Sequence, residues 1–219
     1  DNNMCKKATI GITQRVAKVD YCNEWRDALD QQLINWVIEA GFIPVPIPNV
    51  IIDLDLSINN QPTLDYWVHS LKIDAIILSG GNDIGEIPQR DMTENYLLSW
   101  AEKNIKPVLG ICRGMQMMGT YSGGRLIKVD KHVKTRHNLQ TIGSNKQLFS
   151  KSVNSYHNQA LYKCPSEFKV LAKSEDGCIE AMAHKSLPWE AWMWHPERED
   201  VFYENELDRF RKLIFNEKR

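Results

Sequence analysis

The sequence predicts an α/β fold in which helices cover both faces of a central, mostly parallel sheet. Strand-like and helix-like segments alternate through the first half of the chain, which is the pattern of parallel βα units. An apolar strand at 107–109 ends in the glycine-flanked turn Gly110–Gly114, and a helix-compatible run starts at Met115. The 219 residues are 42% hydrophobic and 25% charged, which suits one globular domain spanning 1–219.

The elements of the first half follow from apolar runs and the residues that interrupt them. A helix is expected over about 25–40, because apolar residues recur there at helical spacing and Gly41 follows as a stop. Thr93 is expected to N-cap a helix that ends near Asn104. A shorter helix is expected over 65–71, and strands are expected at 8–12, 42–45 and 75–78.

Short β-like runs separated by turn residues dominate the second half. They are expected at 125–129, 153–156, 168–173, 179–183 and 190–194. An amphipathic helix is expected over 205–216. The polar segment 130–137 is expected to be a surface loop, with a flap over the site as the alternative.

The turn Gly110–Gly114 places Cys112 where a nucleophile is expected. A sharp strand-to-helix turn between glycines projects one side chain above the sheet edge. The helix N-terminus that follows stabilises a thiolate, the reactive form of cysteine. His195 follows a strand end, and Glu197 can turn back towards its imidazole, so the two are expected to act as base and orienting carboxylate.

An oxyanion hole is expected at a second strand end. The turn Ser79–Asn82 follows the strand at 75–78, and its glycines leave main-chain N–H groups accessible. The main-chain amides of Gly81 and Arg113 are the expected donors to a developing oxyanion.

These motifs together resemble the class I glutamine amidotransferases, and more narrowly the γ-glutamyl-γ-aminobutyrate hydrolase branch, peptidase family C26. The likeness runs from about Ala8 to Glu197 and adds further segments to the turns already described: Gly11–Arg15, Leu109–Gln116, Val153–Gln159 and Asp176–Ala181. Within the branch it extends to hydrolases of γ-glutamyl-CDP-amidate in capsule synthesis, through Ile77–Asp83, Ser174–Gly177 and Met193–Glu199. The resemblance implies a flavodoxin-like three-layer sandwich.

The resemblance also implies the chemistry. Cys112 would attack the γ-carbonyl of γ-glutamyl-CDP-amidate or of a γ-glutamylated amine, forming a glutamyl thioester, and water would then release glutamate. His195 would protonate the leaving nitrogen and afterwards activate the water. The residues implied in substrate binding are Gly80, Gln116, Ser155 and Tyr156. No cofactor is implied.

Composition excludes several other classes of function. A net charge of -1 gives no case for binding nucleic acid or an anionic membrane. No apolar stretch reaches the ~20 residues that span a bilayer, and 1–7 carries no secretory signal. The five cysteines form no CxxC pair or Cys/His cluster, so no metal is expected and a reduced, cytoplasmic setting is favoured. A Cys164–Cys178 disulfide is the alternative.

Several residues have a structural interpretation beside a functional one. His157 is either a second base or, more simply, a histidine bonded into a loop. Three arginines are either anion-binding groups for a diphosphate or solvated surface: Arg15, Arg113 and Arg136. Three tryptophans are expected in the core, with one ring lining the pocket as the alternative: Trp189, Trp192 and Trp194.

Three functions compete. A stand-alone hydrolase of γ-glutamyl amides is favoured, because no synthetase-like domain is fused to this sequence. A glutaminase subunit that passes ammonia to a separate synthetase is the alternative, and a homodimer is also left open. A non-catalytic binding domain is disfavoured by the intact set of Cys112, His195 and Glu197.

Overall fold

The computed structural model describes residues 7–143 and 147–216 as an α/β fold built on an eight-stranded sheet. In spatial order its strands are β4 (Ile43–Ile47), β1 (Thr9–Thr13), β5 (Ala75–Leu78), β6 (Val108–Ile111), β14 (Trp189–Trp192), β13 (Ile179–His184), β12 (Phe168–Lys173) and β9 (Gln140–Thr141). Three two-stranded ribbons lie outside it: β2 (Arg15–Val19) with β3 (Glu24–Ala28), β7 (Leu126–Lys128) with β11 (Gln159–Leu161), and β8 (Val133–Asn138) with β10 (Ser152–Tyr156). The helices are α1 (Gln31–Glu39), α2 (Pro62–Ser70), α3 (Pro88–Asn104), α4 (Arg113–Tyr121) and α5 (Glu204–Ile214).

The large sheet changes from parallel to antiparallel at β14. The four pairings from β4 to β14 are parallel, whereas β13, β12 and β9 are added antiparallel. Pro44 and Pro46 lie in β4, which is an edge strand, where a missing N–H costs no ladder hydrogen bond. The prediction of a mostly parallel α/β sheet is confirmed.

Helices cover both faces of the sheet. The crossover from β1 through α1 to β4 runs in the opposite direction to that from β5 through α3 to β6. Because such crossovers are right-handed, α1 and α3 lie on opposite faces. Trp36 of α1 stacks on Phe210 of α5 at 4.8 Å, and its edge meets Trp192 of β14. The three tryptophans at 189, 192 and 194 are buried in this core, as expected.

The prediction of a helix over about 25–40 is wrong for the first third of that segment. Residues 24–28 form β3, which pairs with β2 in a hairpin, and α1 starts only at Gln31. Asp30 breaks the segment because its carboxylate accepts a hydrogen bond from the Gln32 main chain, as an N-cap does. Trp25 is 64% exposed, so it does not belong to the apolar face of α1.

Two further expectations need correction. Helix α3 begins at Pro88, and Thr93 lies inside it, its hydroxyl donating to the Gln89 carbonyl at 2.7 Å rather than capping. Most of the segment expected to be a loop or flap at 130–137 belongs to β8, and its pairing with β10 buries His132 completely. Backbone pairing therefore outweighs the polar composition of this segment.

The cysteines in the described part of the chain form no disulfide. Cys22, Cys112, Cys164 and Cys178 are free thiols, so the alternative of a Cys164–Cys178 disulfide is wrong; Cys5 lies outside the described residues. Among the residues described, no helix has the length and apolar character needed to cross a membrane.

Candidate active site

Adjacent parallel strands bring the predicted catalytic segments to one edge of the sheet. Cys112 follows β6 directly, Ser79 follows β5, and His195 comes three residues after β14. The registers pair Leu78 with Gly110, and Ile111 with Trp192, so these strand ends are level. The carboxyl ends of parallel strands are where α/β enzymes collect their functional groups.

Cys112 occupies a strained turn between β6 and α4. Its φ is 53° and its ψ is -106°, a backbone conformation that is unfavourable for a residue with a side chain. The turn requires Gly114, because a Cβ there would lie 2.1 Å from the carbonyl oxygen of Leu78. This geometry presents the thiol at the N-terminus of α4, whose main-chain N–H groups stabilise a thiolate.

His195 lies between the thiol and a carboxylate. Its Nδ1 is 2.6 Å from Oε1 of Glu197, and its side chain is hydrogen-bonded to Cys112. All three residues are at most 6% exposed. Gly80 leaves the room that the imidazole needs, since a Cβ there would lie 2.6 Å from Cε1 of His195 and 3.7 Å from Cβ of Cys112.

The electrostatics favour a thiolate–imidazolium pair. Burial alone would raise the pKa of the Cys112 thiol, but the charge and the hydrogen bond of His195 outweigh it and hold that pKa below its ordinary value. Burial alone would lower the pKa of His195, whereas Glu197 and Cys112 raise it to about 9. Burial would raise the pKa of Glu197, but the imidazolium lowers it. These shifts favour the proton on His195 rather than on Cys112, and the thiolate is the nucleophilic form of cysteine.

Asn154 holds His195 in place, a role that the sequence did not reveal. Its side-chain Nδ2 donates to the main-chain carbonyl of His195 at 2.8 Å, and its Oδ1 accepts from the main-chain N–H of His195 at 3.0 Å. Asn154 comes from β10, in the segment Val153–Gln159 that carried the family resemblance. That segment was the available signal, although it did not indicate what this amide bonds to.

The expected oxyanion turn is held by a buried arginine. Arg90 donates to the main-chain carbonyls of Gly81 and Ser79. Its Nε donates to Glu94 at 3.1 Å. The Arg113 main-chain N–H bonds the Cys112 sulfur, so this amide faces the reacting centre.

The guanidinium of Arg113 faces into the protein, not towards a ligand. It pairs with Glu94 and Asp91 of α3, and only 3% of its side chain is exposed. The suggestion that Arg113 binds a diphosphate is therefore wrong. Glu94 joins Arg113 to Arg90, so one buried network ties the turn after β5 to the turn after β6.

The residues expected to bind substrate lie around this centre in different ways. Tyr156 is 39% exposed and its ring meets the edge of His195 at 6.0 Å. Gln116 is buried, and its amide donates to the Gln159 carbonyl at 3.2 Å. The buried Ser155 hydroxyl donates to the His132 carbonyl, so its proton is not available to a ligand. The binding roles of these residues stay predictions.

The remaining two arginines differ in their availability. Nη1 of Arg136 donates to both carboxylate oxygens of Glu199 at 3.1 Å, and its Nε and Nη2 donate to Ser152, so its guanidinium is occupied. Arg15 is exposed and follows β1 at the same sheet edge, with its guanidinium against Gly81. A small pocket is lined by Arg15 together with Gly80, His195 and Arg198.

His157 makes no hydrogen bond to the triad, although it lies close enough to Cys112 for their charges to interact. Its Nδ1 is 2.9 Å from the Gln159 carbonyl, and its Nε2 is 3.2 Å from Nδ1 of His132. It is therefore bonded within a second group of histidines rather than to His195 or Glu197, which agrees with the structural interpretation of this residue.

Comparisons with known proteins find relatives that match most of this chain. The profile of the family Peptidase C26 matches residues 8–197. The chain is 34% identical over 203 residues to a γ-glutamyl-CDP-amidate hydrolase of Campylobacter jejuni. The alignment covers 87% of this chain and 90% of that hydrolase. It is 33% identical over 144 residues to one of the subunits of a glutamine-hydrolysing GMP synthase of Pyrococcus furiosus, covering 64% of this chain and 74% of that protein.

Solved structures show the same fold. A glutamine amidotransferase of Thermotoga maritima superposes with a TM-score of 0.62 at 13% identity, covering 96% of this chain and 85% of that one. The predicted fold, the predicted family and the prediction of a hydrolase in that family are confirmed. The chain belongs to the peptidase C26 family.

Proposed function

We propose that the protein hydrolyses an amide bond between the γ-carboxyl group of glutamate and a nitrogen-linked leaving group. The observation that carries this proposal is the order of thiol, imidazole and carboxylate at one sheet edge, with His195 bonded to Cys112 on one side and to Glu197 on the other. The named activity of the Campylobacter relative supports the same bond as the one cleaved.

The mechanism follows from the protonation states. The Cys112 thiolate attacks the γ-carbonyl carbon, and the carbonyl oxygen becomes an oxyanion that accepts from the main-chain amides of Gly81 and Arg113. The C–N bond then breaks as the His195 imidazolium gives its proton to the leaving nitrogen. A water molecule gives a proton to the neutral His195 and attacks the thioester, which releases glutamate and restores the thiolate.

The glutamyl group is proposed to bind on the side of Gln116 and Tyr156. Tyr156 shields the imidazole at the mouth of the site, while Gly80 leaves space beside Cys112. Gln116 lies on α4 one turn after the nucleophile, where its amide can bond the amino-acid head group. The main chain of Ser155 would add hydrogen-bonding groups of the kind that fix a zwitterionic head group.

The leaving group is proposed to carry phosphate. Arg15 and Arg198 line one pocket with His195. Asp30 and Glu197 also line it, but Glu197 is already paired with His195. Guanidinium groups bind phosphate oxygens in bidentate fashion. A CDP-amidate, as in the substrate named for the Campylobacter relative, fits this charge, whereas the ammonia released from glutamine does not need it.

Substrate preference tests the proposal. Purified protein is assayed for glutamate release from γ-glutamyl-CDP-amidate, γ-glutamyl-γ-aminobutyrate and glutamine. We expect the highest kcat/KM on the phosphate-bearing substrate. Arg15→Ala should raise the KM for γ-glutamyl-CDP-amidate about tenfold, because one or two charge-assisted hydrogen bonds to phosphate are lost. Lys18→Ala on the same strand is the matched control.

Other results would reject parts of this account. Equal effects of Arg15→Ala on γ-glutamyl-CDP-amidate and on glutamine would reject the phosphate-bearing leaving group. Glutamine turnover that appears only when a separate synthetase is added would favour the glutaminase alternative. If none of the three substrates is cleaved and Cys112 forms no covalent adduct, the hydrolase itself is rejected.

A further inference from the structure

Three histidines and one glutamate meet beside the active site, and the mechanism uses none of them. This histidine cluster consists of His132, His137, His157 and Glu180. His132 precedes β8, His137 lies in β8, His157 follows β10 and Glu180 lies in β13, so the cluster joins separate parts of the chain. Each residue offers one ligand atom, and these atoms all lie within 4.8 Å of one another.

Three of the ligand atoms form a nearly equilateral triangle. Nδ1 of His132 is 3.2 Å from Nε2 of His157 and 3.7 Å from Oε1 of Glu180, and the latter two atoms are 3.5 Å apart. In a tetrahedral site with metal–ligand bonds of about 2.0–2.1 Å, ligand atoms lie roughly 3.4 Å apart. The triangle therefore has the size of one face of a tetrahedral metal site.

The outward nitrogens of the two imidazoles fix where their protons are. Nε2 of His132 is 2.6 Å from Oδ2 of Asp176, and Nδ1 of His157 is 2.9 Å from the Gln159 carbonyl. Both partners only accept, so these two nitrogens carry the ring protons. In neutral rings the inward nitrogens then hold lone pairs directed into the cluster. Hydrogen bonds of this kind, to a carboxylate or a carbonyl, orient metal-bound histidines.

Glu180 makes a positive charge necessary. Its side chain is fully buried, Oε1 faces the two imidazoles at 3.5 and 3.7 Å, and Oε2 has no hydrogen-bond partner within the described part of the chain. A buried carboxylate facing two imidazole lone pairs is strongly unfavourable unless a cation lies between them. That charge is either a metal ion or one extra proton held between the carboxylate and the two rings.

His137 distinguishes these two possibilities. Its Nε2 is buried without a hydrogen-bond partner among residues 7–143 and 147–216, and its ring centroid is 4.2 Å from that of His132. One extra proton would need only His132, His157 and Glu180, whereas a structural metal site has four protein ligands, and His137 is placed to be the fourth.

We propose that His132, His137, His157 and Glu180 bind one divalent transition-metal ion, for which Zn²⁺ is the best match. Imidazole nitrogens suit zinc, while Mg²⁺ and Ca²⁺ prefer shells made of oxygen ligands. Four protein ligands leave no open position in a tetrahedral shell, so the ion is structural. It would fasten β8, β10 and β13 together behind the active site.

Metal content tests the proposal directly. The full chain, freed of any affinity tag, is stripped with a chelator, reconstituted with Zn²⁺ and analysed by mass spectrometry for bound metal. We expect one Zn²⁺ per chain, a higher Tm with Zn²⁺ than with Mg²⁺, and, after Co²⁺ substitution, visible absorption typical of tetrahedral coordination. These readouts do not depend on activity.

Variants locate the ion. Half-buried His137 is the residue whose replacement is best tolerated, so His137→Ala should keep the far-UV circular dichroism spectrum and lose the stoichiometric zinc. Asp176→Asn, which weakens the bond to His132, should lower zinc affinity about 10- to 100-fold. The exposed His69→Ala and the nucleophile variant Cys112→Ala should both retain one Zn²⁺.

Two results would overturn the proposal. A wild-type chain that takes up less than about a tenth of an equivalent of Zn²⁺ or Co²⁺, with no change in Tm, would mean that a proton supplies the charge. Full zinc content in both His137→Ala and Glu180→Gln would place the ion outside this cluster.

Discussion

The triad and the histidine cluster are two buried groups of imidazole and carboxylate that differ in what faces each ring. In the triad, His195 has Glu197 on one nitrogen and a titratable thiol on the other, so a proton can move along the line. In the cluster, His132 and His157 turn their outer nitrogens to acceptors and their inner nitrogens towards each other. We therefore expect ring orientation, rather than composition, to decide that the triad transfers a proton and that the cluster holds a cation.

The largest expected effect separates the two groups at once. His195→Ala removes both the base and the proton donor, so we expect kcat to fall about 10⁴- to 10⁶-fold. Bound zinc should stay at the wild-type level, since this side chain is not in the cluster. Steady-state kinetics and metal analysis of the same sample check both points, with His69→Ala as the control. If His195→Ala keeps a tenth of the wild-type activity, His195 is not the base and the contrast with the histidine cluster fails.

Glu197→Gln probes the orienting carboxylate. We expect a loss of about 10³- to 10⁴-fold in kcat, because the amide can stabilise the wrong tautomer and no longer stabilises the imidazolium. Loss of the carboxylate also lowers the pKa of His195, which Glu197 and Cys112 raise to about 9 in the wild type.

The pH dependence of kcat/KM shows in which direction the pKa of His195 changes. In the wild type, kcat/KM should fall as the pH rises through about 9, where His195 loses its proton. The paired imidazolium of His195 also stabilises the fold. This stability is fully present below the pKa of histidine in the unfolded chain, about 6.5, and is lost as the pH rises from there through about 9. In Glu197→Gln the fall of kcat/KM at alkaline pH should begin at lower pH. If the fall stays at the wild-type pH, a group other than His195 controls it.

A third buried charge network sharpens the comparison, because it is neither catalytic nor a cation site. Glu94 pairs with both Arg90 and Arg113 and is fully buried. Glu94→Gln leaves two arginines without their shared carboxylate, so we expect the free energy of unfolding to fall by about 3–5 kcal/mol. Urea denaturation measures this, with the exposed Glu102→Gln on the same helix as the control. An unchanged midpoint would mean that the network does not hold the two turns.

The smallest expected effect concerns Asn154, whose amide bonds the main chain of His195 and the Glu199 carboxylate but no side chain of the triad. Asn154→Ala should lower kcat about tenfold with little change in KM, because the imidazole loses part of its fixed position while the binding residues keep theirs. Asn158→Ala on the neighbouring turn is the matched control. A change confined to KM would assign Asn154 to substrate binding instead.

The sequence was most informative where chemistry and backbone geometry coincide. Strand β5 was predicted with both ends correct, and the turns at Ser79, Cys112 and His195 were predicted to follow strand ends. Their glycines and the apolar runs before them are local signals. The strand at 24–28 gave no such signal, because it pairs only with β2 and buries neither face, so helical spacing further on was extended back over it.

The histidine cluster and Asn154 show what a sequence cannot reveal. Metal sites are recognised in sequences by close spacing, but the cluster draws positions 132, 137, 157 and 180 together only through strand pairing. Arg113 was an anion-binding candidate because a guanidinium can bind a diphosphate bidentately. Its burial against Glu94 depends on how α3 packs on α4.

Covalent labelling tests the central claim, that the Cys112 thiolate is the nucleophile, most directly. The chain is incubated with a glutamine analogue that carries an electrophilic carbon at the γ-position, and intact mass and peptide mapping locate the adduct. We expect one adduct per chain, on Cys112, abolished in Cys112→Ala and slowed in His195→Ala. An adduct on Cys22, Cys164 or Cys178, or labelling that persists unchanged in Cys112→Ala, would contradict the account.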